Sequence, residues 1–188
     1  MALFSKEYLT KQRRYFDMKK EAYIMEDAVR SKSEFDIFLS HSYQDRDIIG
    51  ALFKVMEEEM DFKIYVDWIV DTELDRTNVT AATAQRLKER MNLCKCLLFA
   101  TSENQPKSKW MPWELGYFDG MKEKVAILPI VEKENSQNRY SGQEYLGLYP
   151  YVVFQKDTEG NDRLWICTDE RNYFELRQWL SGKLPTIH

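Results

Sequence analysis

The chain has 188 residues, of which 44% are apolar and 14% aromatic, and its formal net charge is −4. This length and composition predict one compact domain with a buried core, and the mildly acidic charge gives no reason to expect nucleic-acid binding. No run of about 18 apolar residues is present and the N-terminus lacks a secretion-signal pattern, so we expect no membrane span and no export.

The first predicted element is a helix over residues 5–30, which contain no Gly or Pro. Apolar residues recur at Tyr8, Tyr15, Ala22 and Val29, as expected for a helix with one apolar face. This face either packs on its own domain or serves self-association or a partner. A membrane-surface helix is the weakest interpretation, because acidic residues alternate with the basic ones.

Strands and helices then alternate along the chain. Five apolar runs predict buried strands: FDIFLS, FKIYVDW, CKCLLFATS, VAILPI and YPYVVFQ. Strands that are continuously apolar and separated by helices favour a parallel sheet covered on both faces. We therefore predict an α/β, flavodoxin-like three-layer fold, with a five-stranded parallel sheet of order 2-1-3-4-5 and an added N-terminal helix.

The last part of the chain predicts an extension of this domain. The stretch DERNYFELRQWLSG has helical spacing, with Tyr173, Leu176 and Leu180 on one face and Gly182 at the end. We expect an N-terminal helix at residues 1–32, the main domain at 33–155 and a C-terminal extension at 156–188.

The three cysteines, Cys94, Cys96 and Cys167, show no disulfide framework. An odd number without regular spacing is typical of a reduced, cytoplasmic protein. The chain has only two histidines, and one of them is the last residue. We therefore expect no metal site, and we interpret the cysteines as small buried side chains.

The predicted fold also indicates where a ligand would bind. In a parallel sheet, ligands lie beyond the carboxyl ends of the strands, where the strand order reverses. Order 2-1-3-4-5 places this crevice between the first and third strands, beside the loops SHSYQD and TSENQPKSKW. Asp45 ends the first of these loops and is expected to cap the following helix.

The helix WMPWELGYFDGMK begins at this crevice. Trp110 and Glu114 are four residues apart and share a helix face, so they can face the crevice while Leu115 and Phe118 face the sheet. An indole stacks on planar ligands, and a carboxylate stabilises positive charge at a sugar anomeric carbon. Nicotinamide leaves NAD as a neutral molecule and needs no proton, so one carboxylate suffices to cleave its bond to the ribose. The alternative is structural, with the tryptophans in the core and Glu114 as a capping or ion-pair residue.

Three stretches in order, FDIFLSHSYQD, YVDW and SKWMPWEL, resemble the motifs of Toll/interleukin-1 receptor (TIR) domains. With WELGYFDGMK, VAILPI and EYLGLYPYV, the chain most resembles stand-alone bacterial TIR proteins of the anti-phage, Thoeris-like type, over about residues 33–154. The resemblance implies an NAD nucleosidase or ADP-ribosyl cyclase-type enzyme, with NAD as substrate and no cofactor. Its product would be an ADP-ribose-derived signal, linear or cyclic, read by a downstream effector protein.

The resemblance also implies roles for single residues. Glu114 would be catalytic and Trp110 would stack on the substrate, and the turn of the first motif supplies Ser40, His41 and Ser42. His41 either exchanges a proton with substrate or makes a structural contact. The remaining candidates are Asp67 and Trp68, which either anchor the second loop or touch ligand, and Arg76, which could replace the basic residue that many relatives carry near Ser42.

TIR enzymes also assemble, with the loop after the second strand of one subunit completing the site of its neighbour. The loop DWIVDTELDRTN fits this role, so we expect a homo-oligomer on activation.

The alternative function is a non-catalytic TIR adaptor. A phosphoacceptor receiver domain is rejected because the third strand ends LLFATS, without an aspartate. A nucleoside deoxyribosyltransferase fits the first two motifs poorly.

Overall fold

The computed structural model describes residues 2–16, 34–71, 74, 79–133, 140, 142, 144–169 and 172–182. Its strands are β1 (Phe4–Ser5), β2 (Phe35–Ser40), β3 (Ile64–Tyr65), β4 (Cys94–Thr101), β5 (Val125–Val131), β6 (Tyr151–Lys156), β7 (Asp162–Cys167) and β8 (Tyr173–Glu175). Its α-helices are α1 (Lys6–Phe16), α2 (Arg46–Lys54), α3 (Asp67–Val70), α4 (Ala81–Asn92), α5 (Met111–Lys122) and α6 (Leu176–Leu180). None of these helices is long and apolar enough to cross a membrane.

One mixed sheet organises the described residues. Its order is β3-β2-β4-β5-β6-β7-β8, and β1 pairs with β5 outside this path. The pairs from β3 to β6 are parallel, whereas β6–β7 and β7–β8 are antiparallel. The predicted α/β class with a mostly parallel sheet is confirmed. The predicted number of five strands is wrong, because the sheet has eight.

The extra strands at one edge arise from a hairpin after β6. Asp157 accepts hydrogen bonds from the backbone N–H groups of Glu159 and Asn161, and Gly160 adopts a φ of +87° that favours glycine. Burial acts to raise the pKa of Asp157, but the hydrogen bonds from Asn161 and Arg163 outweigh it and lower that pKa to about 2. The turn reverses the chain, so β7 must pair with β6 in the antiparallel sense.

The predicted helix over residues 169–182 is wrong in its first half. Tyr173 lies in β8 and pairs with Cys167 of β7, and the helix begins only at Leu176. Aromatic side chains pack well on a pleated surface, and the neighbouring β7 offers an open edge. Tertiary pairing therefore overrides the helical spacing here.

The N-terminal residues contribute to the sheet and to the core. Phe4 pairs with Ile130 of β5, and the Ser5 hydroxyl accepts a hydrogen bond from the Tyr8 backbone N–H at the start of α1. The predicted N-terminal helix is thus seen from Lys6–Phe16. Residues 17–33, with the predicted boundary between residues 32 and 33, lie outside the described part of the chain.

The strands are apolar throughout because helices cover both faces of the sheet. Side chains alternate between the two faces along each strand, so neighbouring residues enter different cores. The core under α1, α2 and α6 contains Leu9, Ile37, Leu39, Leu52, Leu98, Leu128 and Leu176. The core under α4 and α5 contains Phe38, Leu87, Leu97, Phe99, Leu115, Phe118 and Ile127.

The parallel register brings the two site loops together. Ser40 at the end of β2 pairs with Phe99 near the end of β4. The loops that follow these strands therefore leave the sheet at the same edge, and α3 begins at this edge after β3.

A half-buried carboxylate in the turn after α2 should make stability depend on pH. Burial, with repulsion from Glu58 second, raises the pKa of Glu57 from 4.5 to about 7. The folded state therefore holds this proton more tightly than the unfolded state, and stability is lost as pH rises through this range. Glu57→Gln removes this dependence. We therefore expect its free energy of unfolding, relative to that of the wild type, to be about 1–2 kcal/mol higher at about pH 8 than at about pH 5, a figure reduced for the partial solvent exposure of Glu57.

Urea unfolding at both pH values measures this difference. The matched control is Glu89→Gln, which changes an exposed carboxylate on α4. An equal effect of Glu57→Gln at both pH values would contradict the assignment.

Candidate active site

Glu114 lies in the first turn of α5, at the crevice edge of the sheet. Its backbone N–H donates to the Trp110 carbonyl at 2.8 Å, which closes the first turn of the helix. Its side chain is fully buried, and the Ser40 hydroxyl donates to Glu114 Oε2 at 2.6 Å. This bond joins the end of β2 to the start of α5, so the structure brings together two predicted site residues that are distant in the chain.

The expectation that Trp110 and Glu114 face an open crevice is wrong. Trp110 is 7% exposed and belongs to the apolar core between α5 and the sheet. Its ring meets the half-buried Trp113 edge-on, with centroids 5.4 Å apart, and Trp113 stacks on Tyr117. The four-residue spacing does place Trp110 and Glu114 on one face, but apolar side chains make that face part of the core.

His41 makes two hydrogen bonds that define its tautomer. Nδ1 lies 2.8 Å from the Leu39 carbonyl, and the indole N–H of Trp68 donates to Nε2 at 3.0 Å. A carbonyl can only accept and an indole N–H can only donate, so this arrangement requires a neutral ring with its proton on Nδ1. The structural interpretation of His41 is what the geometry favours. Proton exchange with a substrate stays a prediction and would require the Trp68 bond to break.

Asp67 and Trp68 begin α3, next to this histidine. Asp67 is buried, and its Oδ1 lies 3.6 Å from His41 Nε2. Trp68 is half-buried and holds His41 through its indole N–H. The consecutive residues Ser40 and His41 therefore contact two different elements: Ser40 bonds Glu114 of α5, and His41 bonds Trp68 of α3.

The other two predicted residues take less part in this arrangement. Ser42 is buried and precedes the 3-10 turn Tyr43–Asp45, without a side-chain capping bond. Arg76 lies outside the described residues, so its role as a diphosphate contact stays a prediction.

A polar cluster between the two loops was not anticipated from the sequence. Asp45 occupies the N-cap position of α2 but makes no capping bond with its side chain. Instead, its carboxylate accepts hydrogen bonds from Ser102 Oγ at 2.5 Å and from Asn104 Nδ2 at 2.7 Å. This carboxylate therefore ties the loop after β2 to the loop after β4, which leads to Trp110.

A second unanticipated cluster lies at the end of α3. The Asp71 carboxylate accepts hydrogen bonds from Arg90 Nε at 2.7 Å, Arg90 Nη2 at 2.6 Å, the Tyr65 hydroxyl at 2.9 Å and Arg86 Nη2 at 3.1 Å. Burial acts to raise the pKa of Asp71, but the bonds from Arg90 and Tyr65 outweigh it and the pKa is lowered. The nearly buried Arg90 thus pairs with an ionised partner.

The chemistry available to this site follows from the burial of Glu114. A buried carboxylate interacts with a nearby positive charge far more strongly than one in water. The Ser40 hydroxyl orients Glu114 through one oxygen. Such a group is suited to stabilising a cationic sugar carbon while water is kept away.

Comparison with known proteins gives a consistent result. Residues 38–137 match the family described as "Thoeris protein ThsB, TIR-like domain". The chain is 46% identical over 187 residues to "Probable 3' cyclic ADP-D-ribose synthase ThsB'" of Bacillus cereus (strain MSX-D12), covering 95% of this chain and 94% of the relative. It is 33% identical over 117 residues to "Putative cyclic ADP-D-ribose synthase TIR2" of Cytobacillus dafuensis, covering 60% of this chain and 30% of the relative.

Removal of the Asp45 carboxylate should loosen the link between the two loops. Asp45→Ala leaves the Ser102 hydroxyl and the Asn104 amide without this partner, and we expect a loss of about 1–3 kcal/mol of unfolding free energy. Asp45→Asn keeps part of the hydrogen bonding and should lose less. Denaturant unfolding measures both, with Asp47→Asn on the exposed side of α2 as control. A loss for Asp45→Ala no greater than that of the control would contradict the linking role.

Proposed function

Because this chain belongs to the Thoeris ThsB family of TIR-like domains, we propose that it consumes NAD and makes a cyclic ADP-ribose signal in defence against phage. The observation that carries the proposal is near full-length similarity to a protein named as a 3' cyclic ADP-D-ribose synthase. The buried Glu114 carboxylate at the crevice edge supports it, because the chemistry needs one such group.

The reaction begins with cleavage of the bond between the nicotinamide nitrogen and its ribose. The bonding electrons go to nicotinamide, which leaves as a neutral molecule and needs no general acid. Positive charge develops on the ribose carbon, and the Glu114 carboxylate stabilises it while accepting hydrogen bonds from ribose hydroxyls. The Ser40 hydroxyl donates to Oε2 and thereby orients this carboxylate.

The second step decides between a cyclic and a linear product. A nucleophile of the adenosine half attacks the same ribose carbon, a new glycosidic bond forms, and the nucleophile's proton is released to solvent. Attack by water would give linear ADP-ribose instead. The burial of Glu114 and Trp110 favours the internal nucleophile, because a site that excludes water suppresses hydrolysis.

We assign the other predicted residues to the remaining parts of the dinucleotide. Trp110 would stack on a ring of the dinucleotide only after the side chains that cover it shift, and His41 and Ser42 follow β2 directly, where the ribose and phosphates would pass. Asp67 and Trp68 anchor the second loop beside His41, and we assign Arg76 to the diphosphate. NAD is the substrate in this scheme, with no additional cofactor.

Assembly provides the means of exposing the site. Glu114 is covered in the isolated chain, so substrate contact requires side chains around it to shift. We propose that a second copy of this protein shifts them on association, and that the product then acts on a separate effector protein.

Replacement of Glu114 tests the chemistry directly. Glu114→Gln keeps the shape of the buried side chain but removes its charge, so we expect product formation from NAD to fall at least about 10²-fold while the fold is retained. Mass spectrometry of the products, together with the melting temperature, measures both effects. Glu123→Gln, an exposed carboxylate just after the same helix, is the matched control.

The wild-type product is expected to be one water lighter than ADP-ribose. Unchanged product formation in Glu114→Gln would remove this residue from the mechanism. A wild type that leaves NAD intact under all conditions would favour the adaptor function.

Dependence on concentration tests assembly. If a neighbouring copy exposes the site, the rate per subunit should rise with protein concentration, in parallel with the fraction of oligomer measured by light scattering. A constant rate per subunit from the nanomolar to the high micromolar range would contradict this proposal.

A further inference from the structure

The helix α3 is too short to be stable by its own hydrogen bonds. It has four residues, Asp67–Val70, and an isolated helix of this length is far below the length that forms in water. Its direction must therefore be set by tertiary contacts, which are the burial of Ile69 and Val70 in the two cores and the polar contacts at its two ends. This matters for the site because α3 carries the Trp68 indole that holds His41.

The start of α3 contacts the crevice, and its end contacts α4. At the end, the Asp71 backbone N–H donates to the Asp67 carbonyl at 2.7 Å, which closes the helical turn. The Asp71 carboxylate is then gripped by two nitrogens of Arg90, with Tyr65 of β3 donating to the same carboxylate. Asp71 is thus fixed to both α4 and the sheet.

The grip of Arg90 is stronger and more directional than an ordinary surface ion pair. The Arg90 side chain is 3% exposed, whereas the Arg86 side chain that contacts the same carboxylate is 47% exposed. A planar guanidinium bound through two parallel hydrogen bonds fixes the orientation of its partner as well as its distance. An exposed pair such as Arg86 with Asp71 contributes little by comparison.

We propose that Arg90 is a positioning residue of the active site, which holds α3 in the orientation that lets the Trp68 indole N–H reach His41 Nε2. The His41 ring is thereby kept as the neutral tautomer with its proton on Nδ1, beside the Ser40 that orients Glu114. Arg90 touches no reacting atom in this scheme and acts only through Asp71 and α3. The effect on the reaction rests on the proposed function, but the effect on Trp68 and His41 does not.

Nitrogen-15 NMR tests the structural part of the proposal. The chain has five tryptophans and two histidines, so the indole and imidazole signals are few and Trp68→Phe and His41→Gln assign the relevant ones. The variants are Arg90→Lys, Arg90→Gln and Asp71→Asn. Arg90→Lys keeps the positive charge but loses the planar guanidinium that binds Asp71 through two nitrogens. The matched control is Arg86→Gln, on the same helix and against the same carboxylate.

We expect the three test variants to move the Trp68 indole signal, to speed its hydrogen exchange by at least about tenfold, and to give a mixture of His41 tautomers. Arg86→Gln should leave all three properties as in the wild type. Product formation from NAD should fall by about 10-fold to 100-fold in Arg90→Lys, the size expected for a misplaced group near the reacting atoms, and should be retained in Arg86→Gln.

Folded Arg90 variants with an unchanged Trp68 signal and His41 tautomer would overturn the proposal. If none of the three test variants folds, the pair serves general stability and the positioning role is likewise rejected. If the wild type makes no product from NAD, the proposed function fails, and the NMR signals still decide whether Arg90 positions α3.

Discussion

The hydrogen bond from Ser40 to Glu114 is the interaction on which the site depends. It places a carboxylate in the core at the carboxyl edge of a parallel sheet, where burial of a charged group is costly unless it is hydrogen-bonded. That placement is possible only because β2 and β4 are neighbours and α5 returns over them. The position of the candidate catalytic group therefore follows from the strand order of the central sheet.

Two further carboxylates keep this arrangement in place. Asp45 links the loops after β2 and β4, and Asp71 links α3 to α4 and the sheet. Both work through several hydrogen bonds to one carboxylate, which gives direction as well as attachment. Asp45 thus fixes the loop that follows Ser40, and Asp71 fixes the helix whose Trp68 contacts His41, so both neighbours of the Ser40–Glu114 bond are held in place.

The residue pattern was sufficient to predict the central parallel sheet, because few other folds bury continuous apolar strands that are separated by helices. It also grouped Ser40, His41, Trp68 and Glu114, since the ends of parallel strands meet at one edge. It failed where burial depends on distant partners. The spacing of Trp110 and Glu114 defines a shared face but not whether that face is covered, and Tyr173 joined β8 because an open strand edge was available. The partners of Asp45 and Asp71 lie in other elements, so no local signal revealed them.

The covered carboxylate has a consequence for the balance between cyclic and linear products. A site that opened freely to solvent would expose the cationic ribose carbon to water at a concentration that no internal nucleophile matches without strict positioning. A site that stays closed around Glu114 gives up access for the substrate and gains control over which nucleophile reaches that carbon. The aromatic packing of Trp110 against Trp113 and the hydrogen-bonded His41 both favour the closed form. Slow admission of NAD and selective ring closure are therefore expected to be two results of the same packing.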